Sequence, residues 1–141
     1  MKLNDEARAL IGSGADATLV TLNPDGSPQV SLVWVAVQSG EDGDELVTAH
    51  LSEHKKVRNV RRDGRVALTI VSTKPGEVMR PYLSVTGTAR IVEGGAPELL
   101  QELAKVMFTA EGVPFPPADA PPGYLTRITI DSIGGVGPWM G

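Results

Sequence analysis

Short apolar segments rich in valine, threonine and isoleucine alternate along the chain with turn-forming residues. The first, 18–22, is followed by Asn23-Pro24-Asp25-Gly26-Ser27-Pro28, which is a turn by composition, and then by a second apolar segment at 29–37. Two such segments around a turn predict a β-hairpin. The same pattern predicts further strands at 45–49, 65–71, 82–92 and 124–133, and an irregular tail at 134–141.

Three segments are predicted to be helical. In 52–63, Val57 and Val60 lie three positions apart among charged residues, with Ser52 as a candidate N-cap and Gly64 as a candidate stop. In 97–109 the apolar residues recur at helical spacing, and Pro97 suits a first turn. A third, N-terminal helix is predicted within 1–14.

Six strands with few helices favour a mainly β fold, because three short helices cannot cover both faces of an open sheet. An antiparallel barrel also removes the exposed strand edges. There is no internal repeat, and the proline-rich loop at 113–122 is too short to link two cores. We therefore predict one domain over 1–141, with barrel strands in 15–93 and the last strand and tail in 123–141.

Composition narrows the class of protein. The chain has 141 residues, no cysteine, 41% hydrophobic and 21% charged residues, and a net charge of −4. These values are typical of a globular domain and exclude disulfides, thiolate metal sites and cysteine nucleophiles. No apolar run reaches the roughly 18–20 residues of a membrane span, and the start lacks the features of a signal peptide. A soluble, cytoplasmic protein without a membrane partner is expected.

Positive charge is concentrated in one window. Residues 54–65 hold six of the thirteen lysines and arginines and a single acid. Lys55 and Lys56 fall in the first turn of the predicted helix, beside free backbone N–H groups, where they would form a cradle for phosphate. The alternative is a solvated basic face formed by Lys55, Arg58, Asn59 and Arg62. Nucleic acid is disfavoured as the anion, because aromatic residues are only 4% of the chain and none lies in this window.

The catalytic inventory is small. His50 and His54 are the only histidines, and Glu53 is the one nearby acid, which is too few ligands to predict a metal site. No nucleophile elbow, P-loop or dinucleotide fingerprint is present. If the protein is an enzyme, a cofactor carries the reactive chemistry.

Several segments resemble a known family. Residues 18–31 resemble the opening hairpin of the FMN-binding split-barrel proteins, the pyridoxamine 5′-phosphate oxidase-like group. Residues 56–68 resemble the stretch after that family's phosphate-binding turn, and 85–90 are similar to its next long strand. The small size and the Lys-x-x-Asn-x-x-Arg-Asp run at 56–63 most resemble the branch that depends on coenzyme F420.

The resemblance implies a six-stranded split barrel that forms a homodimer with two cofactor sites at its interface. The expected function is hydride transfer between reduced F420 and an unsaturated small molecule. An FMN-dependent oxidase or reductase, and a non-catalytic F420-binding protein, remain alternatives, because FMN and F420 share the ribityl phosphate.

The resemblance also implies the cofactor-binding residues. The strand from Gln29 through Ser31 and Leu32 to Val33 would run along the ring and ribityl chain. The phosphate would lie near two groups of residues: Thr48, Ala49 and His50; and His54, Lys55 and Lys56. Arg58 and Asn59 are further cofactor-binding candidates. His54 stands where the family often has a small polar residue.

The sequence also suggests roles for a few residues outside the phosphate site. Arg80 and Tyr82 would contact the cofactor from the second subunit. The arginines at 58, 61 and 62 would suit the acidic tail of F420 if they face the groove, and otherwise form a surface helix face. For Trp34 the core or an interface is favoured over a pocket, and Trp139 either closes over the ring or packs on the partner subunit.

Overall fold

Six antiparallel strands form a closed barrel in the order β1-β2-β3-β6-β5-β4 in a computed structural model that describes residues 1–107 and 115–140. The strands are β1 Ala15–Leu22, β2 Pro28–Gly40, β3 Gly43–His50, β4 Arg65–Val71, β5 Tyr82–Glu93 and β6 Tyr124–Val136. The helices are α1 Asp5–Ile11, α2 Lys55–Arg62 and α3 Ala96–Met107, with a 3₁₀ turn at Pro138–Met140.

The barrel interior is filled by alternate residues of each strand. Successive side chains of a strand point to opposite faces, so one side chain in two enters the core. Among the most deeply buried are Leu19, Val35, Leu46, Ile70, Leu83 and Ile128, each from a different strand. The apolar alternation in the sequence is therefore the direct cause of the barrel.

Two neighbouring strands separate partway along their length. β2 and β3 pair only from Gly40↔Gly43 to Ala36↔Val47. Beyond that point residues 28–35 of β2 pair with β1 alone, and residues 48–50 of β3 pair with β6 alone. The sheet is split between these two segments, and this split positions the candidate site.

A buried carboxylate attaches the N-terminal segment to the barrel. Asp44, 3% exposed, accepts hydrogen bonds from the backbone N–H of Leu3 (2.8 Å) and the hydroxyl of Ser39 (3.0 Å). Its Oδ1 also lies 2.6 Å from Nη1 of Arg8, an ion pair whose alignment is not that of a hydrogen bond. Helix α1 is thereby held against the start of β3.

The predicted barrel of six strands with short helices is confirmed, and most strands extend beyond their predicted ends. Strand β4 occupies the predicted residues 65–71. β6 continues to Val136, so the first part of the predicted irregular tail is strand. Helix α1 is shorter than the predicted 1–14, and α3 begins at Ala96, while residues 108–109 of its predicted end lie outside the described residues.

The predicted boundaries of the central helix were wrong. α2 begins at Lys55 with His54 as N-cap, not at Ser52, and its C-cap is Asp63 rather than Gly64. The chain leaving β3 bends at residues 51–52 and enters the helix only after His54, whose backbone is extended. Lys55 and Lys56 nevertheless occupy the first turn, as predicted.

The structure adds a contact of Trp139 that the sequence did not predict, and the two predicted roles at the ring or the partner subunit stay predictions. Trp139 is 7% exposed and packs into the hydrophobic core of its own chain. Its indole Nε1 donates a hydrogen bond of 3.1 Å to the backbone oxygen of Tyr82. The 3₁₀ turn is therefore anchored to the start of β5.

Candidate functional site

A cavity of about 240 Å³ lies in the split between β2 and β3. Its walls combine the separated strand segments with one residue of α2, one of α3 and one from the proline-rich loop. The lining residues are Leu32, Val33, Trp34, Thr48, Ala49, His50, Lys56, Leu100 and Phe115.

His50 and Thr48 are the buried polar residues of this wall, and His50 is the titratable one. His50 is 3% exposed, and its Nε2 lies 2.8 Å from the hydroxyl of Thr126 on β6. Burial, followed by the positive charge of Lys56 and the proximity of His54, lowers the pKa of His50 from 6.5 to about 3. The imidazole is therefore neutral at physiological pH and offers hydrogen bonds rather than charge.

Lys56 brings a positive charge to the same cavity. Its side chain is half-buried, and this burial lowers its pKa from the ordinary lysine value. Within 1–107 and 115–140, no carboxylate lies within salt-bridge distance of its ammonium group. A partly desolvated ammonium without a counter-ion favours binding of an anion.

The start of α2 adds hydrogen-bond donors beside Lys56. The N-cap residue His54 makes no side-chain capping bond, and the N–H groups of Lys55 and Lys56 find no acceptor among the described residues. Free N–H groups and the helix dipole both favour a negative charge at this end. Lys55, which is exposed, adds a second ammonium group.

Ser31 carries a further unsatisfied group. Its Oγ is buried and has no hydrogen-bond partner in the described part of the chain. Buried hydroxyl groups almost always have a partner. A bound ligand or an ordered water would satisfy it.

Twelve of the fourteen predicted cofactor residues fall into three groups, and the other two, Arg58 and Asn59, are described below. Six line the cavity together: Leu32, Val33, Thr48, Ala49, His50 and Lys56. His54 and Lys55 adjoin it at the start of α2. Gln29, Ser31, Arg80 and Tyr82 are not in its lining, and the contact of Arg80 and Tyr82 with a second subunit stays a prediction.

Asn59 does not belong to the exposed basic face that was considered as an alternative. It is 1% exposed, and its Nδ2 donates to Thr21 Oγ1 and to Asn23 Oδ1, each at 3.1 Å. Both amide hydrogens are thus used within the chain. This arrangement fixes α2 on β1 and leaves no donor on the Asn59 side chain for a phosphate.

The neighbouring arginines make contacts within the chain. Arg58 donates to the backbone oxygen of Glu53 at 2.9 Å, so its charge is not neutralised by that bond. Arg61 pairs with the carboxylate of Glu53 at 2.8 Å. Arg62 donates to the backbone oxygen of Leu22. Of the three, Arg58 retains the most freedom to meet another anion.

Sequence reasoning missed four residues of this site. Trp34 was expected in the core or an interface, yet it lines the cavity and meets Phe115 edge to face with ring centroids 5.9 Å apart. Phe115 and Leu100 come from distant segments, and Thr126 is 76 residues from His50. The only local signal was Phe115 itself, an aromatic residue between prolines.

Two classes of site are absent from the described residues. No group of three or more His, Cys, Asp or Glu side chains in 1–107 and 115–140 is arranged to hold a metal ion. In the same residues no helix has the length and apolar character needed to cross a membrane.

A six-stranded barrel split between β2 and β3, with a basic helix start at the split, is the architecture of the split-barrel proteins. The chain belongs to the pyridoxamine 5′-phosphate oxidase family, whose family model matches residues 3–136. The family that the sequence resembles is therefore confirmed. No curated protein matches the chain by sequence.

Solved structures share this fold. An F420 reductase is 24% identical with a TM-score of 0.72, over 90% of this chain and 94% of its own. A conserved hypothetical protein of Mycobacterium tuberculosis is 25% identical with a TM-score of 0.70, over 96% of this chain and 84% of its own. An FMN-binding protein of Syntrophomonas wolfei is 15% identical with a TM-score of 0.65, over 94% of this chain and 85% of its own.

Proposed function

We propose that this protein is a cytoplasmic, F420-dependent oxidoreductase that transfers a hydride between reduced coenzyme F420 and an unsaturated small molecule. The observation that carries the proposal is Lys56, whose half-buried ammonium lacks a carboxylate partner in the described residues and lies beside the uncapped start of α2. These groups fit the phosphate of a flavin-type cofactor.

Each group at the split has a distinct task in this proposal. Lys56, Lys55 and the first N–H groups of α2 bind the phosphate. Neutral His50, held by Thr126, offers a hydrogen bond without competing for the anion. Trp34 and Phe115 form an apolar wall that excludes water. When bound, the deazaflavin supplies the hydride, so the chain's own residues need only bind the cofactor and orient the substrate.

Arg58 favours F420 over FMN. The tail of F420 carries additional carboxylates, and Arg58 is an exposed cation one turn after the phosphate-binding lysines. Its bond to the backbone oxygen of Glu53 leaves its charge available. The similarity in fold to an F420 reductase is consistent with this choice.

We propose in addition that the protein works as a homodimer. Residues 28–35 of β2 have one unpaired edge along the split, and there Val30 and Leu32 are 61% and 68% exposed. A second apolar patch lies on two paired strands at Tyr82 and Val136. Exposed apolar surfaces of this kind commonly mark interfaces between proteins. Light scattering coupled to size exclusion would give twice the monomer mass of 14.9 kDa, and a monomer at all concentrations would contradict the proposal.

Titration of the apoprotein with F420 and with FMN, followed by fluorescence, tests the cofactor. The double variant Lys55→Glu/Lys56→Glu should weaken F420 binding by about 100-fold or more, because two charge-assisted contacts are replaced by repulsion. The control, Lys2→Glu/Lys105→Glu, makes the same charge change at exposed lysines outside the site and should bind normally. Unchanged binding in the first variant would refute the proposed site.

The same titration separates the alternatives. A protein that prefers FMN and purifies yellow is the FMN-dependent oxidase or reductase. A protein that binds F420 tightly is then given reduced F420 with enones, quinones and tetrapyrroles, and absorbance is followed. Tight binding with no hydride transfer to any of them identifies a non-catalytic F420-binding protein.

A further inference from the structure

A second and larger cavity, of about 740 Å³, lies at another opening of the barrel. β1 and β4 pair only from Thr18↔Thr69 to Val20↔Ala67, so the start of β1 and the end of β4 are separated. Helix α1, the end of α3 and the 3₁₀ turn surround this opening. No residue of its lining also lines the cavity at the β2–β3 split.

The inner surface of the larger cavity is mainly apolar. Leu10, Val71, Pro81 and Met107 contribute aliphatic or thioether surface, and Trp139 contributes an indole. The only polar atom of that indole already donates to the backbone oxygen of Tyr82, so the ring presents apolar surface to the cavity. Cavities of roughly 300–1,000 Å³ with such walls typically bind small molecules.

The charged residues of the lining restrict which molecules would bind. Glu6, Asp16 and Lys74 are exposed, and none of them forms a salt bridge with another described residue. Two carboxylates against one ammonium give a negative local potential, the opposite of the Lys55–Lys56 site, so an anion is disfavoured.

Hydroxyl groups supply the remaining polarity. Ser13, Ser72 and Thr73 belong to the lining and can hydrogen-bond to a carbonyl or hydroxyl group of a ligand.

We propose that this cavity is a binding site for an uncharged, largely apolar small molecule that carries a carbonyl or hydroxyl group. The apolar walls bind its body, and the serine and threonine hydroxyls orient its polar end. This inference does not depend on the proposed cofactor, because the site shares no lining residue with the Lys56 cavity and can be tested in cofactor-free protein.

Two related probes test the site and its charge preference. N-phenyl-1-naphthylamine is uncharged, and 1-anilinonaphthalene-8-sulfonate has the same aromatic skeleton with an added sulfonate. The chain has two tryptophans, so in Trp34→Phe protein Trp139 is the only donor for energy transfer to a bound probe. We expect saturable binding of the uncharged probe with energy transfer from Trp139. Measured by the same energy transfer, the sulfonate should bind at least about tenfold more weakly.

A substitution that fills part of the cavity can be compared with the same side chain placed outside it. Ala9 is exposed on α1 and lines the cavity, so Ala9→Phe should occupy part of it without disturbing a packed core. Glu102→Phe adds the same side chain at an exposed position of α3 outside the lining. We expect the first change to weaken the uncharged probe about tenfold and the second to leave it unchanged.

Three results would overturn the proposal. They are the absence of saturable binding, loss of the energy transfer when Trp34 is replaced, and equal affinity of the two phenylalanine variants. If thermal unfolding shows that Ala9→Phe is not folded, Glu6→Phe replaces it, because Glu6 is also exposed on α1 and lines the cavity.

Discussion

The imidazole Nε2 of His50 lies 2.8 Å from the hydroxyl oxygen of Thr126 on the neighbouring strand β6. Both residues are almost completely buried, at 3% and 1% exposure. The bond fixes the ring in the wall of the cavity at the β2–β3 split, a few residues before the lysines of α2. A neutral histidine therefore stands next to a site whose other groups favour an anion.

The first prediction concerns acid stability. The pKa of His50 is about 3 in the folded protein, against 6.5 without its surroundings, so between these values the unfolded chain holds a proton that the folded chain lacks. Stability contributed by His50 is complete above pH 6.5 and is lost as pH falls toward 3, by up to about 1.4 kcal/mol per pH unit. Urea unfolding between pH 7 and 4 measures this slope.

Substitution isolates the histidine. His50→Asn removes the titrating group and should make the free energy of unfolding less dependent on pH in this window. His54→Asn changes an exposed imidazole and should keep most of the wild-type slope, because burial and not His54 is the main cause of the lowered pKa of His50. If the free energies of unfolding of wild type and His50→Asn fall equally as pH is lowered from 7 to 4, His50 is not held neutral in the folded protein.

The second prediction concerns the pH dependence of cofactor binding. Burial lowers the pKa of Lys56, so this ammonium loses its proton at a lower pH than an ordinary lysine. Affinity for a phosphate-bearing cofactor should fall as pH rises, starting below the ordinary lysine value of 10.5, because the neutral amine no longer attracts the phosphate. Lys56→Arg stays charged and should remove that decline. Fluorescence titrations from pH 7 to 10 compare the two, and identical profiles would exclude Lys56 as the titrating contact.

Local patterns were enough to predict the barrel. Strand β4 was predicted at its observed residues 65–71, because its alternation of buried and exposed side chains is visible in the sequence itself. Lys55 and Lys56 were likewise placed in the first turn of a helix. These features depend on periodicity over a few neighbouring residues.

Features that depend on distant contacts were not predicted. The predicted N-cap of α2 was Ser52, whereas the observed N-cap is His54. The path of the chain after β3 decides which residue takes this position. Asn59 looked like part of a polar face, yet it bonds to Thr21 on β1 and to Asn23 in the turn that follows. Trp139 is packed into the core, and its turn contacts helix α1 and the start of β5, which are far away in sequence, so no property of a glycine-rich tail indicates this position.

The third prediction concerns the carboxylate that holds the N-terminal segment. Burial alone would raise the pKa of Asp44, but its contacts with Arg8, the N–H of Leu3 and Ser39 outweigh it and lower the pKa below 3.8. This contribution to stability is present above pH 3.8 and is lost as pH falls further. Asp44→Asn should cost about 1.5–3 kcal/mol at neutral pH, because hydrogen bonds to a charged group are lost.

Asp42 supplies the control for that substitution. It is exposed in the turn between β2 and β3, and Asp42→Asn should change the free energy of unfolding by less than about 0.5 kcal/mol. Chemical denaturation at pH 7 compares the variants. Equal stability of Asp44→Asn and wild type would show that the N-terminal segment is not held by this carboxylate.

The fourth prediction concerns the close approach of β5 and β6 at Gly87. The strands shift register between Thr86 and Gly87, and a Cβ on Gly87 would lie 2.4 Å from the backbone oxygen of Thr129 and 2.7 Å from Cγ2 of Ile128. The oxygen belongs to the paired strand and cannot move without disturbing the ladder, so Gly87→Ala should destabilise the protein by about 1–3 kcal/mol. Gly40→Ala is the control, because its Cβ would meet only the oxygen of Gly43 at 3.4 Å. Thermal and urea unfolding distinguish the two variants, and a Gly87→Ala protein as stable as Gly40→Ala would mean that the strands separate more easily at this shift than their packing indicates.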